Sequence, residues 1–189
     1  MKLINYKNIL DLDINYKNKL RDWRNQDFVR EKMFFSDIIS EEDHKNFLRN
    51  LSIRNDKRVY VCSYDNNPVG VVSLDIFHEN TSLEFGYYLI DKKFVNGGLG
   101  VILEYSVLNY GFNKLKVKYI FCRSKVSNKK VINLHSKFGF RGLNKVIKTQ
   151  DKIFNIYYQQ INKEMWENKK NKIEGIINFI LPLDKIGEI

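Results

Sequence analysis

A short glycine-rich segment, residues 94–100 (FVNGGLG), has the composition of a phosphate-binding loop. Gly97, Gly98 and Gly100 lie between a run typical of a strand and a run typical of a helix. A helix N-terminus offers unpaired backbone N–H groups and the positive end of its dipole, and glycines let a phosphate approach closely. The segment lacks the Gly-Lys-Ser/Thr ending of a P-loop, and its position after several strands does not suit a dinucleotide-binding turn. A tight turn into a helix is the alternative interpretation.

Two polar side chains further along the chain have the spacing of a single helix face. Asn128 and His135 are seven residues apart in NKKVINLHSKFGF, residues 128–140. Seven residues correspond to about 10.5 Å along a helix axis, with both side chains on the same face. An imidazole titrates close to neutral pH, so His135 is suited to proton transfer. Alternatively, His135 is a structural histidine at the edge of the core face that Leu134 and Phe138 form.

One acidic residue stands out in a strand-like run. Glu84 is the only carboxylate in LEFGYYL, residues 83–89, and strand alternation places it on one face with Gly86 and Tyr88. A carboxylate in that position could act as a general base. It could equally be a glutamate on the solvent face of the sheet.

The whole chain has the size and composition of one folded domain. Its 189 residues are 43% hydrophobic and 14% aromatic, with only two prolines. No window approaches the roughly 18 to 20 uncharged apolar residues of a membrane-spanning helix. The N-terminus lacks the apolar core and cleavage site of a signal peptide. We therefore expect a soluble, cytoplasmic protein without a membrane partner.

The net charge and the two cysteines limit the classes of ligand that the protein is expected to bind. The formal net charge is +10, and residues 113–130 contain seven basic residues and no acidic one. A solvated surface explains most of these, but a polyanionic ligand near the glycine segment is plausible. No nucleic-acid-binding motif accompanies the charge, so nucleic acid is not an expected partner. Cys62 and Cys122 lie in strand-like runs without metal-ligand spacing, so we expect reduced, buried thiols and no metal.

Hydrophobic periodicity and turn residues predict strands that alternate with helices. The predicted order is a strand, two helices, three antiparallel strands, a helix, a strand, a helix and two strands. Ser40 is the predicted N-cap of the second helix, and Ser127 that of the last. This order predicts a mixed, mostly antiparallel sheet with helices on both faces. Residues 1–162 are the predicted domain and 163–189 a C-terminal extension, with a helix packed on the domain or on a partner.

The element order over roughly residues 1–162 and two motifs resemble the GNAT superfamily of acyl-CoA N-acyltransferases. Gly98 and Gly100 match the glycines of its Q/R-x-x-G-x-G/A signature, whereas Val95 stands where the family usually has Gln or Arg. Residues 128–140 match its later pattern of Asn, a helix, Tyr or His, and Gly-Phe. The resemblance implies the GNAT fold and an N-acetyltransferase that uses acetyl-CoA as its co-substrate.

The resemblance also implies site roles. The pyrophosphate of coenzyme A would bind at the loop, Asn128 would bind the pantetheine arm, and His135 would face the thioester sulfur and protonate the leaving thiolate. The oxyanion donor would be a backbone N–H near Leu89 or Ile90. Glu84 is the candidate base that takes the proton of the attacking amine. The implied cofactor-binding residues are Leu89, Ile90, Asn96, Gly97, Gly98, Leu99, Gly100 and Asn128.

The N-terminal half resembles the pseudaminic acid pathway acetyltransferases that act on nucleotide-linked amino sugars. The resemblance rests on DWRNQDFVREKMFF and SEEDHKNFLRNL, residues 22–35 and 40–51. It implies that the acceptor is an anionic sugar nucleotide, a UDP-linked 4-amino-4,6-dideoxy sugar. By position, Arg24 and His44 would contact its diphosphate. The residues expected to shape the base and sugar pockets are Met33, Phe34 and Phe47 for the base, and Ser73 and Asp75 for the sugar.

Other functions stay open at this point. Acetyltransferases of protein N-termini or ribosomal proteins also begin with similar helices, but a basic enzyme would repel basic protein tails and polyamines. A non-catalytic acyl-CoA-binding module and an RNA-associated basic protein are further alternatives. A homodimer is possible.

Overall fold

The strands and helices follow the order that the sequence predicts, except that the structure adds a short helix at residues 27–30 and has four strands where the sequence predicts the last two. The computed structural model describes residues 1–77, 81–144, 147–148, 153–154 and 156–189. The strands are β1 (Ile4–Asn8), β2 (Lys57–Tyr64), β3 (Asn67–Phe77), β4 (Ser82–Leu89), β5 (Tyr119–Lys125), β6 (Arg141–Asn144), β7 (Ile147–Lys148), β8 (Ile153–Phe154) and β9 (Ile156–Asn162). The helices are α1 (Ile14–Asn25), α2 (Asp27–Arg30), α3 (Glu41–Ile53), α4 (Leu99–Asn109), α5 (Lys129–Phe138) and α6 (Lys163–Ile180).

Seven strands form one sheet in the order β1-β2-β3-β4-β5-β9-β6, and β7 pairs with β8 separately. Neighbouring strands of the large sheet are antiparallel except β4 and β5, which are parallel. The chain passes from β4 to β5 through α4, because a parallel pair needs a crossover connection. Parts of the predicted strands 142–150 and 154–162, namely residues 145–146, 149–150 and 155, lie outside the described residues.

The structure confirms the predicted hairpin turn and one of the two predicted helix N-caps. Asp65 and Asn66 both have positive φ, 47° and 63°, which is the two-residue turn that joins β2 and β3 into the predicted hairpin. Ser40 caps α3 as predicted, since its hydroxyl accepts from the Asp43 N–H. The predicted Ser127 cap is wrong. Helix α5 has Asn128 as its N-cap residue, and the Asn128 side chain makes no capping hydrogen bond.

Helices cover both faces of the sheet, which confirms the predicted fold class. On one face, α1 and α3 pack through Leu20 and Leu51 against β2 and β3. On the other face, α4 and α6 bury a larger cluster that includes Phe112 and Trp166. Both cysteines are free and buried in strands, as expected. Helix α4 carries apolar side chains on most sides because it lies between the sheet and α6.

Strands β4 and β5 separate over part of their length. Their parallel ladder contains three residue pairs and ends at Glu84–Phe121, whereas β3 and β4 remain paired over eight residues to Leu89. The rest of β4 and β5 therefore forms a cleft inside the sheet. Backbone groups on the β5 side of β4, beyond Glu84, face this cleft instead of a neighbouring strand.

The segment after Asn162 is a helix that shares the core of the domain. Asn162 caps α6 by accepting from the Met165 N–H, and Trp166, Ile173 and Ile177 are buried in the same cluster as sheet residues. The sequence predicts that this helix packs either on the domain or on a partner, and the structure shows that it packs on the domain. The predicted boundary after Asn162 coincides with the junction between β9 and α6.

Candidate active site

A cavity of about 860 Å³ occupies the cleft between β4 and β5. Its walls come from the segment around α2, the neighbouring strand β3, the glycine segment and the first turns of α5. These elements bring residues from five separate parts of the sequence into one site. Most of the predicted site residues line the cavity: Arg24, Met33, Phe34, Ser73, Asp75, Glu84, Leu89, Asn96, Asn128 and His135.

The glycine segment turns directly into α4. Gly98 is the N-cap residue of α4 and has a φ of +83°, while Asn96 has a φ of +77°. The amides of Leu99 and Gly100 lie in the first helical turn, where no acceptor within the helix is available. Lys130 at the start of α5 donates a hydrogen bond to the Asn96 side chain, which places a cation at the loop. This arrangement has the donors and the charge that a pyrophosphate requires.

His135 lies on the cavity wall with one ring nitrogen already bound. Its Nδ1 is 2.9 Å from Oε1 of Glu104, a completely buried carboxylate in α4. The Tyr87 hydroxyl lies 3.4 Å from the other Glu104 oxygen. Asn128, seven residues before His135, also lines the cavity, so the shared face that the spacing predicts is present.

The backbone at the end of β4 distinguishes the two predicted oxyanion donors. The Ile90 N–H donates to the Val69 carbonyl at 3.1 Å, so it points toward β3 and away from the cleft. Because N–H directions alternate along a strand, the Leu89 N–H points the other way, toward the cleft. Leu89 lines the cavity. The geometry therefore favours Leu89 and gives the Ile90 N–H a structural role.

Glu84 forms an ion pair with Arg123 across the β4–β5 ladder. Burial raises the pKa of the Glu84 carboxyl, and the hydrogen bond from Arg123 opposes this shift. On the neighbouring strand, Ser73 and Asp75 lie opposite Gly86 and Glu84 in register. The Asp75 carboxylate accepts from Lys57 at 2.7 Å, so its charge is compensated.

Arg24 enters the cavity from the last turn of α1. Its Nη2 donates to the Phe35 carbonyl at 3.0 Å, but its Nη1 is buried and has no hydrogen-bond partner within the described part of the chain. Burial lowers the pKa of the Arg24 guanidinium, although an arginine stays charged at neutral pH. A desolvated cation with an unused donor is a strong site for an anion.

Positive charge exceeds negative charge around the cavity. Among the described residues that line it, five are basic (Arg24, Lys32, Lys92, Arg123 and Lys130) and three are acidic (Glu31, Asp75 and Glu84). Two of the acidic side chains, Asp75 and Glu84, are already neutralised by ion pairs. Aromatic rings lie beside the cations: Lys92 is 5.8 Å from the centroid of Phe28, and the Arg123 guanidinium 6.0 Å from that of Phe34.

His44 and Phe47, which the sequence assigns to the nucleotide pocket, do not line the cavity. His44 is buried between α1 and α3, and its Nε2 is 2.7 Å from the Lys17 carbonyl. Phe47 packs against the core cluster of α1, α3 and the sheet. Both side chains are on the apolar face of α3, because the helical periodicity that made them conspicuous is the periodicity of a core face. The structure therefore places both side chains in the core between α1 and α3, and their contacts with the nucleotide stay a prediction.

A comparison with family models decides the class of protein. A model described as "Acetyltransferase (GNAT) domain" matches residues 15–141. The chain belongs to the GNAT acetyltransferases. It is therefore an acyl-CoA-dependent N-acetyltransferase with acetyl-CoA as its donor, as the sequence motifs imply. The residues at the loop and the cleft fit such a donor.

Individual relatives of this GNAT enzyme include a curated protein from Campylobacter jejuni, acetyltransferase PseH. The two are 30% identical over 140 residues, which cover 73% of this chain and 85% of the relative. The structure of C. jejuni N-acetyltransferase PseH in complex with acetyl coenzyme A has a TM-score of 0.62 and 24% identity, covering 85% of this chain and 99% of the other. Spermidine N-acetyltransferase from Vibrio cholerae, solved with CoA and spermine, has a TM-score of 0.75 and 18% identity, with coverages of 88% and 99%. These two structures show the shared fold.

Several residues in or behind the cavity of the GNAT enzyme were not predicted from the sequence. Glu104 had a detectable signal, since it is the one ionisable carboxylate in the apolar helix LGVILEYSVLN. Phe28, Lys32 and Lys92 had none, because nothing in the local pattern shows that α2 and the segment before the glycine loop meet. None of the helices in the described ranges is long and apolar enough to cross a membrane.

Gly98→Ala should damage the loop more than the same change one residue earlier. Gly98 has a positive φ, and an added Cβ would lie 2.6 Å from Cδ1 of Ile180 in α6. We expect a loss of about 1–3 kcal/mol in unfolding free energy and a raised KM for acetyl-CoA. Denaturant unfolding and steady-state kinetics measure the two effects.

Gly97→Ala is the matched control, because its nearest contact would be the Phe94 carbonyl at 3.5 Å and its φ is not positive. Equal effects of the two alanines would contradict this explanation. The double variant Gly98→Ala/Ile180→Ala should recover the part of the unfolding free energy that is lost through the clash with Ile180. The part that is lost because alanine is strained at a positive φ should remain.

The acid limb of the pH–rate profile should report Glu84. A general base works only when deprotonated, so kcat/KM rises with pH through the pKa of Glu84. Because burial raises this pKa, the limb lies above the usual carboxylate range. In Arg123→Gln the opposing hydrogen bond and charge are lost, so the pKa of Glu84 rises further and the limb moves to higher pH. Profiles of the wild type, Arg123→Gln and Glu84→Gln test this, and an unchanged limb in Glu84→Gln would exclude Glu84 as its source.

Proposed function

We propose that this enzyme transfers the acetyl group of acetyl-CoA to the 4-amino group of a UDP-linked 4-amino-4,6-dideoxy sugar. The substrate would be of the UDP-4-amino-4,6-dideoxy-N-acetyl-altrosamine type, in pseudaminic acid or related surface-glycan biosynthesis. The observation that carries the proposal is the acceptor side of the cavity, where basic side chains outnumber acidic ones among the described residues and two of them, Lys92 and Arg123, lie beside aromatic rings. The similarity to PseH supports the same class of substrate.

The donor occupies the cleft and the glycine segment. The amides of Leu99 and Gly100 and the dipole of α4 bind the pyrophosphate. Val95 cannot supply the side-chain donor that the GNAT signature usually has at that position. Lys130 provides a cation beside Asn96 and compensates for this difference. Asn128 lies where the pantetheine arm enters the cleft.

The acceptor binds between Arg24 and the aromatic residues around α2. Arg24 donates from its unused Nη1 to a phosphate oxygen of the nucleotide, which pairs its desolvated charge. Lys32 and Lys92 form no ion pair within the described part of the chain and extend this basic wall. Phe28, Phe34 and Met33 offer flat apolar surfaces for the base. The sugar then extends toward Ser73 and Asp75 on β3.

Acetyl transfer needs three functions from the protein at the reacting carbon. The sugar's ammonium group loses one proton to water on binding, so the amine attacks with a free lone pair, and Glu84 accepts the second proton from nitrogen as the C–N bond forms. The Leu89 N–H donates to the carbonyl oxygen as negative charge develops there. His135 donates a proton to the sulfur when the C–S bond breaks. The acetyl group passes directly to nitrogen without a covalent enzyme intermediate.

The acceptor is tested by supplying acetyl-CoA with four candidate amines and measuring release of the free thiol. The amines are a UDP-linked 4-amino-4,6-dideoxy sugar, the same sugar without its nucleotide, spermidine, and an N-terminal peptide of a ribosomal protein. We expect turnover of the UDP-linked sugar only, with inhibition by free UDP. NMR of the product should show a new 4-acetamido group.

The other outcomes separate the competing functions. Turnover of spermidine or the peptide, with none of the sugar nucleotide, would overturn the proposed substrate class. Equal turnover of the free sugar would contradict the role of the basic wall. Binding of acetyl-CoA without turnover of any amine would favour a non-catalytic module.

A further inference from the structure

Glu104 is a carboxylate in the most apolar helix of the protein. Its relative exposure is 0%, and α4 around it contributes Ile102, Leu103, Val107 and Leu108 to the core. Burying a charged group in such surroundings costs several kcal/mol unless hydrogen bonds and a partner charge compensate. A leucine or methionine would fill the same space without that cost. The position therefore needs an explanation beyond packing.

Both oxygens of Glu104 face a donor. Oε1 lies 2.9 Å from His135 Nδ1, and Oε2 lies 3.4 Å from the Tyr87 hydroxyl. A carboxylate can only accept, so the shared hydrogen belongs to His135 Nδ1. The remaining ring nitrogen, Nε2, is then the one that serves a group bound in the cavity, which His135 lines.

The imidazole is also held by aromatic neighbours. The Phe85 ring lies edge-on at 5.6 Å and the Phe140 ring at 5.5 Å from its centroid. These rings exclude water and leave the hydrogen bond to Glu104 as the main polar determinant of ring orientation. In water-poor surroundings a hydrogen bond between a fixed carboxylate and a ring N–H holds the ring strongly.

We propose that Glu104 is a positioning residue for His135, fixing its ring with Nδ1–H toward the core and Nε2 toward the thioester sulfur. The inference rests on the proposed role of His135 in acetyl transfer. Before transfer the imidazolium carries hydrogens on both nitrogens. As the C–S bond breaks, sulfur takes the Nε2 proton, and the neutral ring keeps its Nδ1 hydrogen on Glu104. The proton lost by the amine goes to Glu84, and solvent reprotonates His135 for the next cycle.

Glu104→Gln tests this role, because glutamine keeps the size and hydrogen bonding of the side chain but removes the charge. We expect kcat to fall by about 10- to 50-fold, with the KM values for acetyl-CoA and the acceptor unchanged. We also expect the ring ¹⁵N signals of His135 to show a changed distribution of hydrogen between Nδ1 and Nε2. The chain has three histidines, so loss of one signal set in His135→Asn assigns the resonance.

Tyr87→Phe is the matched control, since it removes the longer contact to Glu104 and leaves the His135 contact in place. It should reduce kcat by less than about threefold. A kcat of Glu104→Gln within twofold of the wild type, together with an unchanged ¹⁵N pattern, would overturn the inference. If His135→Asn is itself fully active, the proposed role of His135 fails. If only His135→Asn is impaired, the role of Glu104 alone fails.

Discussion

His135→Asn is expected to lower kcat for acetyl transfer by about 100- to 1000-fold. The asparagine amide lies close to the position of His135 Nδ1, so it can still donate to the buried Glu104 and spare the protein an unpaired carboxylate. It has no group that reaches the sulfur and no proton to give. Because the lost interaction belongs to C–S cleavage, kcat should fall while the KM for acetyl-CoA changes little.

His44→Gln is the control for this variant. His44 is also a buried histidine, but it lies between α1 and α3, outside the cavity, and a glutamine can replace its contact with the Lys17 carbonyl. We expect its kcat to stay within about twofold of the wild type. A similar loss in both variants would mean that His135 matters for folding, whereas full activity of His135→Asn would exclude it as the proton donor.

Arg24→Gln is expected to raise the KM for the sugar nucleotide by about 10- to 100-fold. A hydrogen bond between a guanidinium and a phosphate is worth roughly 1.5–3 kcal/mol, and each 1.4 kcal/mol is a factor of ten in affinity. The KM for acetyl-CoA should not change, because Arg24 lies on the acceptor side of the cavity. Stability should fall by no more than about 0.5–1.5 kcal/mol, since the variant loses the Nη2 hydrogen bond to the Phe35 carbonyl, whereas Nη1 has no hydrogen bond to lose within the described residues.

Arg21→Gln controls for net charge. Arg21 lies on the same helix and pairs with Glu41 at 3.2 Å, and it does not line the cavity. The KM for the sugar nucleotide and the inhibition by UDP are measured for both variants. The comparison separates the loss of a cation inside the cavity from the loss of one unit of net charge. We expect weaker inhibition by UDP only in Arg24→Gln. Equal KM values for the sugar nucleotide in the two variants would show that Arg24 does not bind the acceptor.

A feature of this protein could be predicted from the sequence when the residues that form it are neighbours in the chain. The motifs at residues 94–100 and 128–140 consist of residues that are close together in the sequence. The fold class and the acetyl donor were therefore predictable. The proposed acceptor pocket is different, because its residues come from α1, α2, β3 and the segment after β4. A helical pattern shows that a face is apolar but not which element covers it. For that reason the sequence could not show that His44 and Phe47 lie outside the cavity wall.

The sequence alone determined most of the element order, the class of enzyme, the glycine segment that leads into α4 and the face that Asn128 and His135 share, since these depend on short-range spacing. Tertiary structure decided the rest. It separated β4 from β5 after Glu84, directed the Leu89 N–H into the cleft, and left Arg24 with an unused donor. It also joined Glu104 of α4 to His135 of α5, 31 residues apart. Contacts of this kind depend on how elements pack, and packing brings together residues that no local pattern relates.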